Sequence, residues 1–180
     1  MGDYSQHELR IGGTVSWSAL DKILAKHNGE IAKSVQEWID SDAGEWDARP
    51  FYDDEHLVFQ DPETGGWDID QLIELLRPAK IAYNLRVDGR PGCWGAHFRF
   101  YRPGMNDEVC IDTDDDLTPT VNVNDLREFL ETASTVDAVK AWLQEKSPEV
   151  PALPRLVLTR NRKPVDLTAQ EPRDPAYTRS

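Results

Sequence analysis

The chain has 180 residues, of which 39% are hydrophobic and six are tryptophan, so its composition is that of a globular domain and excludes general disorder. Its formal net charge of −13 argues against direct binding to nucleic acid, because Lys and Arg side chains must neutralise the phosphates. Two cysteines give no disulfide framework, and no apolar segment has the form of a signal peptide or a membrane span, so we expect a cytoplasmic protein.

The N-terminal part of the chain is predicted to be mainly helical. Apolar residues recur at helical spacing in residues 16–29 and again in residues 30–41, which predicts two helices that form a hairpin. The polar and acidic stretch 42–56 is interpreted as a loop, and the following HLVFQ as a short strand. A third helix is predicted from residue 67, and Pro78 ends it.

After Pro78 the apolar period changes from helical spacing to strict alternation. Alternating apolar residues in segments 81–87, 96–100 and 109–111 are separated by the turn-forming sequences DGRPG and RPGMND. This pattern predicts an antiparallel meander of three strands.

The C-terminal part is predicted to hold two more helices, in residues 122–133 and 135–146, and a strand in residues 155–160. The predicted fold class is therefore α+β: an N-terminal helical hairpin, then a three- to four-stranded antiparallel sheet with helices packed on one face. We expect residues 1–160 to form this single acidic domain and residues 161–180 to form a flexible tail that contains proline and arginine.

Four aspartates, Asp112, Asp114, Asp115 and Asp116, follow the last strand of the meander. Three of them have the spacing of the first ligands in an EF-hand calcium loop, but the sixth position of that loop is Leu117 instead of glycine. We therefore exclude a calcium site of this type. Solvent around a turn also screens the carboxylates from one another, which argues against acid–base catalysis.

Other signatures of catalysis or metal binding are missing from the sequence. Cys93, His97 and Cys110 are the only mixed set of zinc-binding residue types, and they lack the paired spacing of a zinc site. The sequence IGGTVS has no lysine of a phosphate-binding loop, and no serine lies in the context of a nucleophile elbow. We predict no metal and no cofactor, and we lean against an enzyme.

Acidic residues concentrate in two places, and we predict that both bind a partner. The first cluster is Asp53, Asp54 and Glu55, and the second is Asp112, Asp114, Asp115 and Asp116. Carboxylates on a rigid surface present charge of the kind that a nucleic-acid backbone presents to a basic groove. The expected partner is a basic protein, such as a nuclease or another nucleic-acid-binding protein, and neither nucleic acid itself nor a membrane.

This profile of small size, strong negative charge and missing catalytic motifs resembles that of phage- and plasmid-borne inhibitors that occupy the DNA site of a host defence nuclease, such as anti-restriction and anti-CRISPR proteins. The resemblance covers size and charge and no motif. It implies a non-enzymatic inhibitor that mimics DNA. An immunity protein that blocks the active site of a toxin differs from this only in its partner.

An alternative interpretation follows from strand parity. If Tyr83, Leu85, Phe98, Phe100, Val109 and Ile111 face the helices, the polar side chains of the same strands share the opposite face. Arg86, His97, Arg99 and Tyr101 would then form a site for a small anion or another small molecule, or an acid–base site in an enzyme. The same pattern also fits the solvent-exposed face of an open antiparallel sheet.

Overall fold

The computed structural model describes residues 6–27, 31–41, 49–61, 67–89, 95–114 and 116–167. Within these ranges the protein is an α+β fold with five helices and nine strands. The helices are α1 (Trp17–Lys26), α2 (Val35–Asp40), α3 (Trp67–Leu76), α4 (Val123–Thr132) and α5 (Val136–Lys146). The strands are β1 (His7–Gly12), β2 (Thr14–Ser16), β3 (Arg49–Tyr52), β4 (Leu57–Asp61), β5 (Ala82–Val87), β6 (His97–Tyr101), β7 (Val109–Asp112), β8 (Val157–Arg160) and β9 (Lys163–Pro164).

Six strands form one antiparallel sheet in the order β3-β4-β1-β5-β6-β7, and β2, β8 and β9 form a small second sheet. Strands β5, β6 and β7 are neighbours, which confirms the predicted meander. The sheet has six strands instead of three or four, because β1 lies between β4 and β5, and β3 pairs with the outer side of β4. In the described residues β1 and β2 precede α1, so the fold does not begin with the predicted helical hairpin.

Helix α2 has only six residues, although apolar spacing predicts a helix from 30 to 41. Its start is fixed by two hydrogen bonds between side chains and backbone. The Ser34 hydroxyl accepts the backbone N–H of Glu37 at 3.0 Å, and the Glu37 carboxylate accepts the N–H of Lys33 at 2.8 Å. These bonds satisfy backbone groups at the helix start, so residues 31–34 remain outside the helix.

Strand β3 corrects the prediction of a loop at the end of the stretch 42–56, of which residues 42–48 lie outside the described ranges. Pro50 lies in this strand, opposite Phe59 of β4. Proline has no N–H to donate to a neighbouring strand, and β3 is an edge strand with one neighbour, so Pro50 is tolerated there.

The core lies between one face of the large sheet and helices α1, α2 and α3. Leu20 and Leu24 of α1, Trp38 of α2, and Leu72 and Leu76 of α3 are fully buried in it. The indole N–H of Trp38 donates to the carbonyl oxygens of Phe51 and Val58, at 3.1 and 3.0 Å, and so joins α2 to β3 and β4. We call this side of the sheet the helix face.

Residues 148–156, which we call the strap, cross the other side of the sheet, the strap face. The guanidinium group of Arg102 donates five hydrogen bonds, two to the strap and three to strands β5 and β6, and so joins the strap to the sheet. The acceptors are the carbonyl oxygens of Tyr83, Tyr101, Pro151 and Ala152 and the side-chain oxygen of Asn84. Arg102 is 8% exposed, and desolvation lowers its pKa.

The far end of the strap lies against β1 and β4. Gly13 donates its N–H to the carbonyl oxygen of Pro154 at 2.9 Å, and Leu156 donates to that of Glu55 at 2.7 Å. A Cβ atom on Gly12 would lie 2.2 Å from the Pro154 oxygen, so this close approach requires glycine. The strap thus runs from the β7 edge of the sheet towards β1 and β4.

Helices α4 and α5 confirm the predicted elements, but neither has a buried residue. The rings of Phe129 and Trp142 stack with centroids 5.0 Å apart and join the two helices. Val123 of α4 and Val136 of α5 are 60% and 71% exposed. These helices therefore form a pair at the edge of the molecule and add little to the core.

Part of the predicted tail belongs to the fold. Strand β9 pairs with β8, and the N–H of Val165 donates to the carbonyl oxygen of Leu158 at 2.8 Å. Val165 and Leu167 pack against the core, and residues 168–180 lie outside the described ranges. None of the helices in the described part of the chain combines the length and the apolar character that crossing a bilayer requires.

Candidate protein-binding surface

The second acidic cluster lies in a tight turn, residues 112–120, that follows β7. The side chain of Asp114 accepts the backbone N–H groups of Asp116 at 3.0 Å and Thr118 at 2.8 Å. Thr113 pairs with Pro119 across the turn, and the N–H of Thr120 donates to the carbonyl oxygen of Asp112 at 2.8 Å. We call this segment the acidic turn. These hydrogen bonds fix the backbone that carries the exposed Asp112 and Asp116 side chains.

The aspartates of the acidic turn have different roles. Asp114 shapes the backbone, as aspartate commonly does in turns. Asp112 and Asp116 are exposed, and no basic side chain in the described ranges forms an ion pair with either. Asp115 lies outside the described residues. The turn therefore presents at least two carboxylates that are available to a partner.

An acidic cleft lies between the acidic turn and the helix pair α4–α5, with a volume of about 200 Å³. Asp112, Asp125 and Glu145 line it, together with Trp142 and Lys146. The Lys146 ammonium lies 5.8 Å from the centre of the Trp142 ring. Three carboxylates and one ammonium leave the cleft negative in net charge.

Sequence reasoning missed Asp125 and Glu145 as members of this surface. They lie 20 residues apart, but α4 and α5 are joined by the short link 133–135. Short links favour antiparallel helices, which brings the start of α4 beside the end of α5. That signal could have placed Asp125 and Glu145 together.

Cys110 also lines the cleft, and its environment disfavours nucleophilic chemistry. Desolvation raises the pKa of its thiol, and the nearby carboxylates of Asp112 and Glu108 act in the same direction. The positive charge of Arg99 opposes this without reversing it. Because the thiolate is the reactive form, the Cys110 thiol is expected to be unreactive at neutral pH.

The first acidic cluster, residues 53–55, is only partly available. Asp53 accepts from the Arg10 guanidinium at 2.7 Å and from the backbone N–H groups of Glu55 and His56 at 3.0 and 2.7 Å. Asp53 thus stabilises the turn between β3 and β4. The side chains of Asp54 and Glu55 are exposed.

The two clusters lie at opposite corners of the large sheet. Asp53 follows edge strand β3, and Asp112 ends the other edge strand, β7. The register places Tyr52 at the end of the sheet where Tyr101 lies, and Asp112 beside His97 at the opposite end. Five strand spacings of about 4.8 Å put roughly 24 Å between the edges. The two clusters therefore do not form one compact site. The acidic turn, unlike the first cluster, adjoins further carboxylates in the acidic cleft.

The alternative anion site is not assembled. Strand pairing places Arg86 opposite Phe98 and Leu85 opposite Arg99, so Arg86 lies on the strap face. His97 and Arg99 lie on the helix face with Tyr101. The predicted parity is wrong because Phe98 and Phe100 pack on the strap face instead of the helix face, which reverses β6 relative to β5.

Both arginines of that set are already paired with carboxylates. Arg99 contacts Asp70 at 2.5 Å and Glu108 at 2.7 Å, and Arg86 contacts Asp88 at 2.8 Å. Tyr101 is buried and stacks on Tyr83, with ring centroids 6.0 Å apart. His97 is half-buried, and its ring lies 3.3 Å from the carbonyl oxygen of Gly95. This geometry disfavours the binding of an anion.

Groups of three or more His, Cys, Asp or Glu side chains that could hold a metal ion are not found within the described ranges. Comparisons with protein-family models, with curated proteins and with solved structures found no match. The function must therefore be argued from the surface itself.

Proposed function

We propose that this protein is a non-enzymatic inhibitor that binds a basic, nucleic-acid-binding protein through its acidic turn and acidic cleft. The observation that carries the proposal is the arrangement of Asp112 and Asp116 in a turn fixed by Asp114, with Asp125 and Glu145 across the cleft. A turn whose backbone is already fixed loses little backbone entropy on binding, which favours affinity.

The charge of the whole chain supports a basic partner. Residues 151–180 contain six basic and three acidic side chains, so residues 1–150 carry a net charge of −16. Such a charge attracts a basic surface over several ångströms and accelerates association at low salt. In this proposal the carboxylates occupy the positions that phosphates take in the partner's nucleic-acid site. An immunity protein against a basic toxin would use the same surface.

The test compares two variants that change the net charge equally. The first is the double substitution Asp112→Asn and Asp116→Asn in the acidic turn. The control is the double substitution Glu131→Gln and Asp137→Asn, at the opposite end of the helix pair. Each full-length protein is immobilised and used to capture basic proteins from the lysate of its host, which are eluted with a salt gradient and identified.

We expect the first variant to weaken capture about tenfold and the control to change it less than about twofold, since local charge at the contact decides binding. Captured partners should elute at moderate salt, because screening weakens exposed charge pairs. Added nucleic acid should compete with capture. The proposal would be contradicted if both variants reduced capture equally, or if neither salt nor added nucleic acid weakened the binding of the captured partner.

A further inference from the structure

An apolar groove lies on the strap face, on the other side of the acidic turn from the acidic cleft. Its volume is about 240 Å³, and it is lined by Phe98 and Ile111 of the sheet, Leu117 and Pro119 of the acidic turn, and Pro148 and Val150 of the strap. Leu117 and Val150 are 37% and 40% exposed. Three separate parts of the chain thus build one apolar surface that is open to solvent.

Thr113 also lines the groove, and its hydroxyl lacks a partner. The residue is 7% exposed, and its Oγ1 atom accepts or donates no hydrogen bond within the described residues. Leaving a buried hydroxyl unpaired costs free energy, so a hydrogen-bonding group that reached Thr113 in the groove would be stabilised there.

The surroundings of the groove are negative. Asp114 and Asp116 of the acidic turn and Glu149 of the strap are exposed, and each is next in sequence to a residue that lines the groove. Basic side chains of the described chain form no ion pair with them. An occupant with an apolar group flanked by positive charges would match both the apolar lining of the groove and its negative surroundings.

We infer that the groove receives one large apolar or aromatic side chain of the basic partner, flanked there by Lys or Arg residues. This inference rests on the proposed function and names the chemistry that the partner must present. In protein interfaces a few central side chains contribute most of the binding free energy, and a polar or charged rim surrounds them. The acidic turn would supply the rim, and the groove would supply the anchor site.

Size and charge argue against the other occupants. Pockets for small molecules usually measure at least about 300 Å³, so this groove suits a single side chain better. A second copy of the chain carries the same net charge of −13 and would be repelled. Residues 168–180 of the same chain contain two basic and two acidic side chains and offer no matching charge.

The test uses two synthetic peptides, Lys-Lys-Trp-Lys-Lys and Lys-Lys-Ala-Lys-Lys, in NMR titrations of the full-length protein labelled with nitrogen-15. We expect the tryptophan peptide to bind about tenfold more tightly, because burial of its ring adds apolar contact. The amide signals of the groove residues outside the acidic turn, Phe98, Ile111 and Val150, should shift with this peptide alone. Signals of the acidic turn should shift with both.

Two substitutions remove the apolar wall without adding charge: Leu117→Asn, which suits the positive φ of 61° at that position, and Val150→Thr, which keeps the side-chain shape. Together they should abolish the preference for tryptophan and leave binding of the alanine peptide unchanged. Val136→Thr, at an exposed valine outside the groove, is the matched control and should preserve the preference.

The outcomes separate the two ideas. If both peptides bind the acidic turn equally and the groove signals do not move, the groove inference is wrong while the proposed function stands. If the tryptophan preference survives the double substitution, the anchor lies elsewhere and the inference is again wrong. If neither peptide binds at low salt, both the inference and the proposed function fail.

Discussion

Helix α1 buries four apolar side chains, Trp17, Leu20, Ile23 and Leu24, whereas α4 and α5 together bury none. Both regions show the apolar spacing of amphipathic helices. The difference is the surface that they meet, because α1 lies on the sheet and α4–α5 lies at its edge. Periodicity alone therefore predicts the helix and does not predict its burial.

The same contrast divides the apolar residues into two kinds. Those of the helix face stabilise the fold, and those near the β7 edge remain available to solvent. Leu130 and Leu143 are 49% and 41% exposed in the region that also holds the acidic turn. Exposed apolar groups next to concentrated charge are typical of a surface that binds another protein.

Truncating one leucine in each region should give the largest difference. Leu72 of α3 is completely buried, so we expect Leu72→Ala to lower the free energy of unfolding by about 3 kcal/mol. Leu130 of α4 is half exposed, and Leu130→Ala should cost less than about 0.5 kcal/mol. Urea unfolding of the two variants measures both values. Equal losses would mean that Leu130 of α4 is buried in solution, which would contradict the contrast between the core helices and the exposed pair α4–α5.

The contacts between the core and the β7 edge include a buried phenol. The Tyr83 hydroxyl donates a hydrogen bond to the Glu108 carboxylate, which also accepts from Arg99 at 2.7 Å. Burial, and then the hydrogen bond and the charge of Glu108, raise the pKa of Tyr83 well above its ordinary value of 10.0. The folded protein therefore holds this proton more tightly than the unfolded chain does.

This shift makes stability depend on alkaline pH. Below pH 10 Tyr83 is protonated in both states, and above pH 10 the phenol ionises in the unfolded chain only. The free energy of unfolding should therefore fall by about 1.4 kcal/mol per pH unit as the pH rises above 10. Tyr83→Phe should lack this part of the slope in urea unfolding measured from pH 9 to 11.5. An unchanged slope in the variant would show that another group titrates.

The strongly periodic elements could be predicted from the sequence, and the strands at the start of the sheet could not. Helices α1, α3, α4 and α5 and the meander all follow from long, regular apolar patterns. Strand β1 also alternates, with Leu9 and Ile11 buried, but these two are its only large apolar side chains, so the pattern is weak. In β3, Pro50 and the surrounding acidic residues indicate a loop, and only the pairing with β4 makes it a strand.

The face of a strand was harder to predict than its existence. In β6 the apolar residues Phe98 and Phe100 pack on the strap face, while Arg99 points to the helix face and pairs with Asp70 and Glu108. Alternation reveals two faces and does not say which one meets the helices. When a distant segment such as the strap covers the second face, apolar residues can lie on either side.

The roles of individual aspartates could likewise not be predicted from the sequence. The sequence does not distinguish Asp53 and Asp114 from their acidic neighbours, yet both accept backbone N–H groups and shape turns. Their roles depend on backbone geometry that composition does not reveal. The acidic content of the surface could be predicted, and its division into structural and available carboxylates could not.

The smallest expected change in stability distinguishes structural from available carboxylates within the acidic turn. Asp114→Ala removes two hydrogen bonds to backbone N–H groups and should lower the free energy of unfolding by about 1 kcal/mol. Asp116→Ala removes an exposed carboxylate that accepts no hydrogen bond from the described residues, so stability should change by less than about 0.3 kcal/mol. Urea unfolding measures both, and equal values would contradict the separate roles.

Asp114→Asn separates the geometry of the turn from its charge. The amide oxygen of asparagine can accept the same two N–H groups, so most of the stability lost in Asp114→Ala should return. If the partner recognises the backbone conformation that Asp114 stabilises, Asp114→Asn should bind the partner nearly as well as the native protein does. Asp114→Ala should then bind it more weakly. If the partner contacts the negative charge of Asp114 directly, both variants should bind equally weakly. Asp114 would then bind the partner as well as stabilise the turn.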